Sequence, residues 1–92
     1  MRFKQLELVP FSQVKHLDRF YVHKWEGIGV EATGMDELRL CIKHYRVIDG
    51  DNLRWRRAKP GEQVQWGYMS YDKGSSFYPV EDDGVMVYAE KS

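Results

Sequence analysis

The clearest strand signal in this chain is RFYVHKW at residues 19–25. The stretch is dense in aromatic and β-branched side chains, and Phe20 and Val22 alternate with more polar neighbours, which is typical of a strand with one buried face. The segment that follows, Glu26-Gly27-Ile28-Gly29, has the glycines of a turn. Residues 19–25 therefore predict a β protein.

Outward from this strand, the same kind of pattern recurs about every ten residues. The other short strand candidates are residues 3–9, 64–68, 77–80 and 85–89, and the turn candidates between the last three are Asp72-Lys73-Gly74 and Glu81-Asp82-Asp83-Gly84. Pro10 ends the first candidate because proline has no backbone donor. The sequence predicts a mainly β fold, either a small antiparallel bent sheet or a partly open barrel.

One short helical turn is expected near the N-terminus. Phe11, Val14 and Leu17 recur at a helical spacing, and Ser12 precedes two of them as a plausible N-cap.

Residues 35–48 fit two interpretations. As a helix at about 35–46, which would make the fold α+β, one face would carry Met35, Leu38, Cys41, Ile42 and Tyr45. As a strand, apolar side chains alternate from Leu38 to Ile42, and Asp49-Gly50 becomes a hairpin turn into residues 53–56. The pattern leaves both open.

Length and composition restrict the possible functions. Ninety-two residues predict a single domain, residues 1–92, with one modest core and no room for a deep enclosed substrate cavity. Fourteen basic and fourteen acidic side chains give a net charge of zero. This balance argues against a bulk-charge mimic of DNA and against a histone-like binder.

The charges are nevertheless unevenly distributed along the chain. Residues 39–59 carry seven basic and two acidic side chains, whereas residues 60–92 carry two basic and six acidic ones. Arg54-Trp55-Arg56-Arg57 is expected to lie on a strand, with Arg54 and Arg56 on one face. The candidate contact residues for a partner or a nucleic acid are Lys43, Arg46, Arg54, Trp55, Arg56 and Arg57. The alternative is a half-buried strand with Trp55 in the core and the arginines solvated or paired with the acidic segment.

No pattern for catalysis or for a metal rises above chance. Cys41-x-x-His44 has the spacing of half a zinc site, but no second half is present. No signature surrounds Cys41 or the serines as nucleophiles, and Gly27-x-Gly29 is not a phosphate loop. We therefore expect a protein that is not an enzyme, with no cofactor, no metal and no catalytic residues.

The chain has one cysteine, no apolar run of signal-peptide type and no run long enough to cross a membrane. A reducing compartment suits a lone thiol. The sequence predicts a cytoplasmic protein without a membrane partner.

Two segments resemble a known group of proteins. Phe11-Ser12-Gln13-Val14 with Asp18-Arg19-Phe20-Tyr21 resembles the opening of small phage- and prophage-encoded β-barrel proteins, which often read F-S-x-[VL]-x-x-G-D-x-F. Residues 77–87 resemble their closing strand pair, whereas Leu17 stands where the pattern has Gly. The resemblance implies phage origin and an accessory or inhibitory role against host machinery.

Two functions are therefore expected as alternatives. The first is a small non-enzymatic binding protein that occludes a surface of a host protein or ribonucleoprotein assembly, such as an anti-CRISPR inhibitor of host defence. The second is a nucleic-acid-binding module that uses a basic strand flanked by aromatic rings.

Overall fold

A computed structural model of the chain describes residues 5–70 and 76–91. Within these residues, the strands are β1 (Leu6–Pro10), β2 (Arg19–His23), β3 (Leu38–Asp49), β4 (Asn52–Arg54), β5 (Val64–Ser70), β6 (Ser76–Pro79) and β7 (Met86–Glu90). They form one antiparallel sheet that does not close into a barrel, so the prediction of a mainly β fold is confirmed. The turn predicted at Asp72-Lys73-Gly74 lies outside the described residues.

The sheet is built around β3, its longest strand. The strand order is β1-β7-β2-β3-β5-β6, and β4 folds back on the far end of β3. Along one edge of β3, residues 38–42 pair with β2 and residues 47–49 pair with β4. Along the other edge, residues 41–47 pair with β5 without interruption.

The strand interpretation of residues 38–48 is confirmed, and a helix at about 35–46 is wrong. Only one 3-10 turn, Met35–Glu37, uses the acidic pair that could have begun a helix. Pairing on both edges satisfies the backbone of β3 over long range, which outweighs its helix-compatible apolar spacing. The hairpin at Asp49-Gly50 is also confirmed, because Asp49 pairs with Asn52 and Gly50 has the positive φ, 62°, of a tight hairpin turn.

The expected N-terminal helical turn is present as a 3-10 turn at Phe11–Gln13. The prediction that Ser12 caps it is wrong: Pro10 holds the capping position, and no side chain caps the turn. The turn places the Phe11 ring in the core, where it meets Phe20 edge to face at 5.6 Å.

The main core lies on one face of the sheet. Its buried members are Phe11, Val14, Phe20, Val22, Cys41, Tyr68 and Val87. A smaller cluster packs on the other face near β1 and contains Leu6, Ala32, Leu38 and Tyr88. The side chains of β3 therefore alternate between two environments, and its far end, toward Asp49, reaches beyond both clusters.

The turn after β2 is organised by a buried histidine. Nδ1 of His23 accepts the backbone N–H groups of Trp25 and Glu26 at 3.3 and 3.2 Å. An imidazole nitrogen that accepts cannot carry the proton, so the tautomer has its proton on Nε2, which donates to Glu37 at 3.0 Å. Glu37 also accepts from the hydroxyl and the backbone N–H of Thr33. His23 thus links β2 to the 3-10 turn before β3.

Candidate functional site

The edge of β3 that faces β2 and β4 contains a gap. Lys43 still exchanges backbone hydrogen bonds with Leu17 and Asp18, at 2.8 and 3.1 Å, and pairing with β4 begins at Val47. Between these points, residues 44–46 have no strand beside them on that edge within the described part of the chain. The N–H of Tyr45 points to the same edge as that of Lys43 and donates to Nδ1 of His44 at 2.8 Å. The imidazole thereby satisfies a donor that a neighbouring strand would otherwise take.

A pocket of about 560 Å³ opens at this gap. We call it the strand-gap pocket, and its lining residues are His16, Leu17, His44, Tyr45, Trp55, Arg56 and Arg57. Its volume lies within the range of small-ligand sites. The segment before β2 supplies one wall, the segment after β4 supplies the opposite wall, and β3 supplies the floor. Among the residues that the structure describes, no carboxylate contributes to the lining.

The wall before β2 holds a strained residue. Leu17 has a φ of 73°, a left-handed conformation that side chains other than Gly and Asn rarely adopt. It is also 59% exposed, so burial of its side chain does not offset that cost. Leu17 occupies the position at which the phage-barrel pattern has Gly.

His16, beside Leu17, faces three aromatic rings. Its imidazole centroid lies 4.5 Å from Tyr45, 5.3 Å from His44 and 5.8 Å from Trp66. Burial lowers the pKa of His16 below its ordinary value of 6.5, and the neighbouring His44 and Lys43 lower it further. At neutral pH the ring is therefore uncharged and presents an aromatic face.

The opposite wall is built around Trp55. Its indole ring meets His44 at 5.5 Å and Phe77 at 5.3 Å, both edge to face, and the Arg46 guanidinium lies 5.5 Å from its centroid. Trp55 nevertheless remains 54% exposed. The contacts fix the orientation of the ring while one part of its surface stays open to solvent.

Lys43 is not a surface cation. It is 7% exposed and lies on the core face of β3, where its Nζ donates to the carbonyl oxygen of Phe11 at 2.9 Å. The alternation of β3 explains this, because Lys43 and the buried Cys41 share a face. We therefore correct the sequence analysis and remove Lys43 from the candidate contact residues.

Two of the predicted arginines are held by carboxylates. Nε of Arg54 lies 2.7 Å from Asp49, and Arg56 makes a two-pronged pair with Glu62 at 2.6 and 2.8 Å. β4 ends at Arg54, so the expectation that Arg54 to Arg57 all lie on a strand is wrong. The placement of Trp55 in the core is likewise wrong. Because Glu62 belongs to the acidic segment of residues 60–92, the expected pairing with that segment is present for Arg56, whereas the acidic turn at residues 81–83 makes no ion pair with Arg54 or Arg56.

Arg46 and Arg57 complete the predicted set. Arg46 donates to Gln65 at 2.7 Å and lies 4.5 Å from the centre of the Phe77 ring. Arg57 is exposed and has no carboxylate within ion-pair distance among residues 5–70 and 76–91. The structure thus brings Trp55, Arg56 and Arg57 together at the pocket, with Arg46 behind Trp55 and Arg54 at the hairpin.

Three pocket residues, His16, Leu17 and His44, were not predicted as contact residues, whereas Tyr45 was expected as one of the aromatic rings that flank the basic segment. These residues meet only through the gap between β2 and β4, and the ends of paired strands are not visible in a hydrophobic pattern. The one local signal was Leu17, which replaces Gly in a turn-forming pattern.

No family model, curated protein or solved structure matches this chain. Among the described residues, no helix is long and apolar enough to cross a membrane, and no three His, Cys, Asp or Glu side chains gather as metal ligands. Cys41 and His44 lie three residues apart on β3 and so point to opposite faces.

Proposed function

We propose that this chain is a small non-enzymatic binding protein that occludes a surface of a host protein or ribonucleoprotein assembly. The observation that carries the proposal is an exposed apolar patch at the end of the β3–β4 hairpin. We call it the hairpin surface, and it consists of Ile48, Leu53 and Trp55, which are 38%, 42% and 54% exposed.

Two of the three side chains are neighbours in the sheet, and Trp55 directly follows the end of β4. Ile48 and Leu53 are direct cross-strand partners. Trp55 lies near Arg46, which precedes Ile48 by two residues on the same face of β3. A tryptophan beside aliphatic side chains is typical of the energetically dominant centre of a protein interface.

The charged groups around the patch suit a protein interface better than a bare phosphate surface. Asp49 engages Arg54, and Glu62 engages Arg56. Paired guanidinium groups can form the polar rim of an interface without leaving unpaired charge against the partner. A net charge of zero also supports contact through shape and apolar area.

The non-enzymatic part of the proposal rests on the arrangement of the reactive groups. Cys41 is fully buried in the core, away from the strand-gap pocket. The pocket supplies imidazoles that could act as bases, but neither a cysteine nor a serine lines it within residues 5–70 and 76–91. The resemblance of the two segments supports phage or prophage origin and a role in inhibiting a host defence such as a CRISPR system.

Affinity capture from bacterial lysate tests the proposal. Wild-type protein should retain a defined host protein or complex, and Trp55→Ala and Leu53→Ser should each lose it. A photocrosslinking amino acid in place of Leu53 should form a covalent adduct with the same partner. Nuclease treatment before capture separates a protein partner from a ribonucleoprotein.

Trp25→Ala is the matched control. Trp25 is 72% exposed, more than Trp55, and it contacts His23 at the opposite end of β3. The eight residue steps from Leu38 to Arg46 along β3 separate the two sites by about 26 Å. If Trp25→Ala and Trp55→Ala reduce capture equally, the hairpin surface is not the docking site. If no partner distinguishes wild type from the double hairpin variant, the proposal fails.

A further inference from the structure

The strand-gap pocket has a chemistry that the hairpin surface does not need. Its side chains offer aromatic faces and two guanidinium groups, and no acid lies among them within the described residues. A protein partner could cover the hairpin surface without entering the gap. The pocket is therefore a candidate site for a second, different ligand.

Arg57 is the cation available to such an occupant. Arg56 is fixed by its two-pronged pair with Glu62, whereas Arg57 has no ion pair within the described ranges. The segment that carries Arg57 is held over the floor, because the N–H of Ala58 donates to the hydroxyl of Tyr45 at 3.0 Å. A single guanidinium beside the pocket can bind one phosphate bidentately.

The aromatic groups supply the surface for a flat ring. Trp55 stands on one wall, fixed from behind by Phe77 and Arg46, and His16 stands on the other wall against Tyr45. The lowered pKa of His16 keeps that ring uncharged at neutral pH, so its face can contact a base. Stacking on aromatic side chains is the sequence-tolerant way in which proteins hold unpaired bases.

We propose that the strand-gap pocket binds one nucleotide of a single-stranded nucleic acid, with its base against Trp55 and its phosphate on Arg57. A single strand is favoured over a duplex because only an unpaired base can enter a gap between two strands of the sheet. A single strand is also favoured over an acidic peptide. The one guanidinium without an ion pair matches one phosphate, and the three aromatic rings can contact a base, whereas a carboxylate side chain would make no use of these rings. The inference goes beyond the proposed function; the pocket shares Trp55 with the hairpin surface, whereas Ile48 and Leu53 do not line it.

Fluorescence anisotropy with a labelled single-stranded RNA of about ten nucleotides tests the inference. Trp55→Ala should weaken binding roughly 5- to 100-fold, the range measured for one stacked base. Arg57→Gln should weaken it as well and should reduce the slope of log K against log salt by about 0.7, the contribution of one phosphate. Lys91→Gln removes the same charge outside the pocket and should leave both quantities unchanged.

Three results would overturn the inference: no complex at low salt, a duplex of the same length that binds as well as the single strand, or a poly-glutamate peptide that displaces the RNA with equal potency. Leu53→Ser separates this site from the docking proposal. It should abolish capture of a protein partner and leave RNA binding intact. Arg57→Gln should do the opposite: it should weaken RNA binding and leave capture of the protein partner intact.

Discussion

The ammonium group of Lys43 donates a hydrogen bond to the carbonyl oxygen of Phe11, 2.9 Å away in the interior of the sheet. The same group lies 4.3 Å from the centre of the Phe11 ring and 5.0 Å from that of Trp66. Burial lowers the pKa of Lys43, and the charge of Asp83 opposes that shift in part. Phe11 has a second donor to its carbonyl, the N–H of Val14 at 3.1 Å.

Replacement of Lys43 by Met should therefore leave the protein as stable as wild type or up to about 1 kcal/mol more stable. The methionine fills the same space without desolvating a charge, and the Phe11 carbonyl keeps its bond from Val14. Lys43→Glu should lower the free energy of unfolding by about 3 kcal/mol or more, because a buried carboxylate would face a carbonyl oxygen. Urea unfolding of both variants measures the difference. A loss above about 2 kcal/mol in Lys43→Met would show that the ammonium group itself stabilises the fold.

Gly67 should not tolerate a side chain. A methyl group at this position would collide with the carbonyl of Tyr78 and would lie 2.5 Å from the Phe77 ring, which packs across the glycine. Gly67→Ala should destabilise the protein by about 1–3 kcal/mol and displace Phe77, which orients Trp55. Thermal unfolding measures the first effect, and Trp55 fluorescence in a Trp25→Phe, Trp66→Phe background measures the second.

Gly61→Ala is the control for that substitution. Gly61 has a positive φ, 86°, but open space around its α-carbon. Gly61→Ala should lower the free energy of unfolding by only about 1–2 kcal/mol, through backbone strain, and should not affect Trp55 fluorescence. Equal fluorescence changes in the two variants would contradict the close packing of Phe77 on Gly67.

More of the fold than of the site could be predicted from the sequence, and the reason is physical. Side-chain alternation located β2, β5 and β7 because that signal is local, whereas Asp49-Gly50 predicted a hairpin only if residues 38–48 form a strand. The choice between strand and helix at residues 38–48 required partners on both edges of β3, which are distant in sequence. The same limitation explains Lys43: its charge indicated the surface, but its register on β3 places it opposite Tyr68 in the core.

His23→Leu should destabilise the protein by about 2–3 kcal/mol. The substitution removes the acceptor of the Trp25 and Glu26 N–H groups and the donor to Glu37, and it leaves these groups without their partner in a part-buried turn. His16→Leu removes an exposed imidazole and should change the free energy of unfolding by less than about 0.5 kcal/mol. Urea unfolding at neutral pH compares the two, and similar losses would contradict the structural role of His23.

Acid should weaken the loop that carries Trp55 and Arg57. The Arg56 guanidinium, followed by the backbone N–H of Lys59, lowers the pKa of Glu62 from 4.5 to about 2. Because the folded pKa lies below the unfolded one, the stabilisation is complete above pH 4.5 and disappears as the pH falls toward 2. The unfolding midpoint of wild type should fall across this window, and that of Glu62→Gln should fall less steeply. If the unfolding midpoints of wild type and Glu62→Gln fall in parallel with pH, other carboxylates cause the acid sensitivity.

Leu17 offers a test of whether strain at the pocket serves binding. Its φ of 73° suits glycine, and its side chain is 59% exposed and lines the strand-gap pocket. Leu17→Gly should therefore stabilise the fold by up to about 1 kcal/mol, because it relieves the left-handed strain and loses little burial. It should also weaken whatever the pocket binds, since the wall opposite Trp55 loses its apolar side chain. Urea unfolding and RNA anisotropy on the same preparation measure both effects. A variant that is more stable and binds equally well would show that Leu17 has no part in the site, and a less stable variant would show that the leucine side chain packs more favourably than its exposure indicates.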